Sequence, residues 1–80
     1  MTRYFFATYD DDEVIQDDIG VELADFEAAR EHAALSLAEL ARDVLPGSTR
    51  RHLAVKVHDG QQPVLEATLT FEALVLLARS

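Results

Sequence analysis

Three histidines, a run of acids and a few scattered hydroxyls are the groups in this 80-residue chain with which chemistry could be done. His52 and His58 fall on one face of the same expected strand, six residues apart. At roughly 3.3 Å per residue that is about 20 Å, too far for two ligands of one zinc ion. His32 falls on the polar side of an expected helix, with Glu31 beside it in sequence but not one turn away. All three read as ordinary surface histidines. Asp10, Asp12 and Glu13, with Asp17 and Asp18 across a hairpin, offer oxygen ligands for Ca²⁺ or Mg²⁺. A calcium loop counted from Asp10 needs glycine at its sixth position and glutamate at its twelfth. These positions are Ile15 and Val21, so the motif fails. The acidic run reads instead as a solvated turn that blunts a sheet edge.

Catalytic patterns are equally thin. Paired carboxylates need burial or a neighbour to separate their pKa values, and every acid here falls in a turn or on a polar face. Ser36, Ser48, Thr49 and Ser80 have no nucleophile-elbow context. Gly20, Gly47 and Gly60 are isolated, so there is no phosphate-cradling loop, and cysteine is absent. The expectation is a protein that is not an enzyme and carries no metal and no cofactor.

The elements that must position these groups fit one small α+β domain over residues 1–80. Fifteen acidic against seven basic residues give a formal charge of −8. Such a surface disfavours nucleic acid and anionic membranes, and Arg50-Arg51-His52 is too short to reverse the field. Tyr4-Phe5-Phe6-Ala7 is cut off by Thr8, Tyr9 and the acids, so no export signal is read there, and the apolar stretch from Ala73 to Ala78 falls short of the ~20 residues that span a bilayer. The expected location is cytoplasmic.

Arg3 to Tyr9 is aromatic and β-prone, and Val14-Ile15-Gln16 is short enough to return beside it. Asp17 to Gly20 reads as a bend, with glycine suited to positive φ. From Asp25, Phe26, Ala29, Ala33, Leu37, Leu40 and Val44 recur at spacings of three and four, one stripe of a helix. Asp25 suits the N-cap, Glu27 the first turn, and Pro46-Gly47 the stop. Leu53, Val55 and Val57 then alternate with Ala54, Lys56 and His58, as in a strand with one buried face. Asp59-Gly60 opens a hairpin to a partner strand from Val64 to Thr70. Thr70 is placed to cap a short last helix, Phe71 to Ala78. The predicted order is ββαββα: a small antiparallel or mixed sheet with one long helix packed on one face.

Tyr4-Phe5-Phe6, the acidic turn, Asp17-Asp18-Ile19-Gly20-Val21-Glu22-Leu23-Ala24-Asp25 and the Ala-rich helix, followed by Val55-Lys56-Val57-His58-Asp59 and its hairpin, resemble a family of short bacterial proteins. That family is known only as a domain of unknown function, so the resemblance implies a fold and no chemistry. Family members often carry a polar residue, commonly His, where this chain has Ala7, and Pro where it has Ala24. Any site built on that histidine is missing here. A weaker likeness in architecture is to HicB-type antitoxins, which place a helix on a small sheet but usually run three strands before it. Fold alone does not carry function.

One helix cannot cover all the apolar residues. Leu35 falls on the wet helix face, one aromatic row of the first strand (Tyr4 and Phe6, or Phe5 and Tyr9) is left over, with Phe5 the candidate interface residue, and Val75, Leu76 and Leu77 lie near the end. A patch of this kind marks an interface, unless the tail folds back onto the second sheet face. The expected function is therefore a non-catalytic protein-interaction module that self-associates as a homodimer. One alternative is an antitoxin-like or regulatory protein binding a basic partner. A second is a small-ligand or metal-binding domain.

Overall fold

A computed structural model describes residues 1–77. Strands β1 (Thr2–Asp10), β2 (Glu13–Gln16) and β3 (Val21–Leu23) precede helix α1 (Phe26–Val44), and β4 (Arg50–His58) and β5 (Pro63–Glu72) follow it. All pairings are antiparallel, in the order β2-β1-β4-β5, with β3 also paired to β1. The sheet is thus antiparallel rather than mixed, and the fold is α+β.

Two expectations need correction. Val21–Leu23, between the expected bend and the helix and assigned to no strand, forms a third strand ahead of the helix. Its residues pair with Tyr4, Arg3 and Thr2 after the chain has turned at Asp17–Gly20. The last helix does not form over the described residues. Phe71 and Glu72 remain in β5, opposite Arg51 and Arg50, and residues 73–77 have no regular structure. The Thr70 hydroxyl lies 3.0 Å from His52 Nδ1 and caps no helix, while the Ala73 N–H donates to the Thr49 carbonyl at 2.8 Å. A helix of two turns is marginal in water, and a strand already paired to Glu72 offers each backbone group a partner without nucleation. Ala78, the end of that expected helix, lies outside the described residues.

Helix α1 forms where its periodicity and caps place it. The Asp25 carboxylate accepts the Ala28 N–H at 2.9 Å, and Gly47, just past Pro46, sits at φ +88°. Glu27 and Arg30 pair on the outer face, and their hydrogen bond, reinforced by the opposite charge, holds the guanidinium pKa above its ordinary value. Ala29, Ala33, Leu37 and Ala41 are buried and share one cluster with Tyr4, Phe6, Leu53, Val55 and Val57. Register explains that set: Phe6 lies opposite Val57, and Leu53, Val55 and Val57 lie opposite Leu69, Ala67 and Leu65. The stripe is therefore shifted slightly from the expected one. Ala41 joins the core, Leu40 and Val44 pack at its margin, and Phe26 is 41% exposed at the helix start.

Gly20 shows why the Asp17–Gly20 turn admits one residue type. Its φ is +83°, and a Cβ there would stand 2.7 Å from Arg3 Cγ and 2.9 Å from Phe5 Cε2. The turn is closed by Asp17 Oδ1, which accepts the N–H groups of Ile19 and Gly20.

Candidate interaction surfaces

The two sheet faces differ in kind. Tyr4 and Phe6 point into the cluster shared with α1, so Phe5, Ala7 and Tyr9 lie on the other face by strand alternation. There Phe5 stacks on His58 with ring centroids 5.0 Å apart, and Lys56 Nζ sits 4.6 Å from the centre of the Tyr9 ring. These contacts floor a shallow groove of about 620 Å³ that continues to Gln16, Asp17 and Gln62. Its volume falls in the range of small-molecule sites, but such a site also needs a few polar groups aimed at one point. His58 Nδ1 accepts the Gly60 N–H, Asp17 Oδ1 is spent on its turn, and Lys56 lies on Tyr9. None of the charged side chains among the described residues is buried. Ala7 lies in this floor.

The acidic turn is held by the basic cluster that follows the helix. Arg51 donates to Asp10 at 2.8 Å and lies 3.7 Å from Asp11, while Asp11 accepts the His52 N–H at 3.0 Å. Asp11 itself adopts φ +52°, a conformation that aspartate tolerates better than most residues. These carboxylates join β1 to β4, and among the described residues no group of three His, Asp or Glu is arranged to hold a metal ion. His32 departs from the sequence reading. It is half-buried, its ring 4.6 Å from that of Phe6, at the margin between helix and sheet and not on the polar side.

The expected interface residues do not gather into one patch. Phe5 is half-buried under His58, near the β4–β5 hairpin. Leu35 is 66% exposed on the outer face of α1. Val75, Leu76 and Leu77 follow β5 at its opposite end from that hairpin, and with Leu74 they are 72–89% exposed. Leu74 was missed because the expected last helix would have buried it. The unbroken apolar run 73–78 was the available signal. Ile15 and Ile19, at 70% and 78% exposure on the other side of the sheet, were missed too. The tail carries the chain away from the sheet: the radius of gyration is 15.4 Å, against about 12 Å for a compact chain of this length. No helix among the described residues is long and apolar enough to cross a membrane.

A family model matches residues 3–70, from β1 almost to the end of β5. The chain belongs to that family, described as Domain of unknown function (DUF6894). No curated protein and no solved structure matches it. The DUF6894 match takes in the helix, the acidic turn, the open groove and most of β5. It stops before Phe71, so Leu74 to Leu77 lie beyond it.

Proposed function

We propose that this DUF6894 protein is a non-catalytic protein-interaction module that self-associates as a homodimer through its C-terminal edge. The observation that carries the reading is the run Leu74 to Leu77. These are four consecutive large apolar side chains, each at least 72% exposed, directly following a strand at the end of the sheet. Burying one such side chain stabilises by about 1.5–3 kcal/mol, and a twofold dimer buries each of them twice. Sedimentation velocity from nanomolar to high micromolar concentration tests the reading. Two copies carrying −8 each repel one another, so the dimer should tighten as salt screens that repulsion. A monomer at high micromolar concentration in high salt refutes it.

A second reading is an antitoxin-like or regulatory protein that binds a basic partner. The net charge favours it, and so does β3, which supplies the third strand before the helix that the sequence lacked relative to HicB-type antitoxins. Salt separates the two readings by sign. Association with a basic partner weakens as salt rises, because opposite charges speed the encounter.

A further inference from the structure

The two edges of this sheet are not equivalent, and the difference selects a mode of assembly. One edge consists of β2 and β3, four and three residues long, interrupted by the Asp17–Gly20 turn and flanked by the acidic run Asp10 to Glu13. Short strands and clustered charge are the usual devices that keep an edge from pairing. The other edge is β5, ten residues without a charge-bearing Lys or Arg and with proline only at its first position. Its register shift against β4 lies at the hairpin end, between Val57 and His58, and leaves the rest of the strand regular. Along the helix side of β5, Leu65, Ala67, Leu69 and Phe71 are only half-buried, because α1 covers the middle of the sheet and no strand among the described residues pairs with the outer edge of β5.

We propose that β5 and residues 73–77 pair antiparallel with the same segment of a second copy, with the twofold axis passing between the two Thr70 residues. The inference rests on the self-association reading above and names its edge and register. Directly opposed residues in an antiparallel pair share a face, so the apolar rows stay together only in registers that place some residue opposite its own copy. An axis at Leu69 sets Glu66 against Glu72, and an axis at Glu72 sets that residue against itself. Like charges directly opposed are destabilising. An axis at Thr68 sets Leu74 to Leu77 against the polar hairpin residues Gln62 to Asp59. An axis at Phe71 sets both Leu74 and Leu76 against polar residues, Thr68 and Glu66. An axis at Thr70 sets Leu65 against Val75, Leu69 against Phe71 and Val64 against Leu76; of the four tail residues it leaves Leu74 alone opposite a polar one, Glu66, and it brings no two like charges together. In that register the half-buried row of β5 and the exposed tail cover one another.

The chain has no cysteine, which makes the register directly readable. Opposed residues of antiparallel strands have Cα atoms about 4.5–5.5 Å apart, within the span of a disulfide. Thr70→Cys, Thr68→Cys and Leu35→Cys are each oxidised mildly at a concentration where sedimentation of the unsubstituted protein finds the dimer, with folding checked by circular dichroism. The expected result is conversion of most Thr70→Cys chains to covalent dimer, with Thr68→Cys and Leu35→Cys remaining mainly uncrosslinked. A dimer in sedimentation without the Thr70→Cys crosslink overturns the register and leaves self-association standing. Preferential closure of Thr68→Cys does the same. A monomer throughout overturns both.

Discussion

Replacing Leu37 by alanine probes the contact between helix and sheet more directly than any other single change. Leu37 is 8% exposed and packs in the cluster built by Tyr4, Phe6, Leu53, Val55 and Val57. Alanine is at least as good a helix former as leucine, so the helix is not weakened and the loss is one of packing. Buried Leu→Ala changes cost about 2–5 kcal/mol. At about 0.05–0.15 kcal/mol per residue, a domain of this length holds about 4–12 kcal/mol in all. A loss near 3 kcal/mol should lower the melting temperature by about 12–24 °C, since each kcal/mol moves a small domain about 4–8 °C. Leu35, two residues away and 66% exposed, is the control: its alanine variant should stay within about 0.5 kcal/mol of the parent. Thermal and urea unfolding, followed by far-ultraviolet circular dichroism below the dimerisation range, measure both. An unchanged midpoint for Leu37→Ala, or a larger effect from Leu35→Ala, would show that α1 presents another face to the sheet.

Gly20→Ala should destabilise more than Gly47→Ala. Both sites have positive φ, but only at Gly20 does a new Cβ meet other atoms closer than 3 Å; equal urea midpoints would refute the steric part of the argument. Asp59 should titrate below its ordinary value of 3.8, because its carboxylate accepts the backbone N–H groups of Gln61 and Gln62. A depressed folded-state pKa means that the hairpin is supported above the unfolded value and loses that support as pH falls through the folded one. Amide shifts of Gln61 and Gln62 followed by NMR through acid should report a midpoint under 3.8, and a midpoint at or above it removes the proposed bonds. Leu76→Lys should abolish the dimer in sedimentation while leaving the monomer's melting temperature unchanged, since Leu76 is 89% exposed. Unchanged dimerisation would remove the tail from the interface.

Local pattern was enough for much of the architecture. The three-and-four spacing from Ala29 to Val44, the Asp25 cap and the Pro46-Gly47 stop each act within a few residues, so α1 was legible to within a residue at either end. The alternation through Leu53, Val55 and Val57 likewise identified the strand face that is buried. Strand order was not legible, because an antiparallel hairpin specifies its own pairing and nothing about which further edge it joins. That β1 lies between β2 and β4 depends on residues some 40 to 50 positions apart, tied by the Phe6–Val57 register and the Asp10–Arg51 ion pair. The candidate surface divides in the same way. Leu35 and the apolar run after Phe71 stood out in the sequence, yet only the packed sheet shows that they lie apart.

Composition and short-range periodicity, then, determined the class of fold, the helix and its buried stripe, because caps, turns and amphipathic faces are satisfied by neighbours in the chain. Tertiary structure decided the fate of Val21–Leu23 and of Phe71–Glu72. Each segment has weak preferences of its own and takes the conformation that completes hydrogen bonds with a strand already in place, β1 in one case and β4 in the other. The same pairing leaves β5 as an outer strand and carries Leu74 to Leu77 beyond it into solvent.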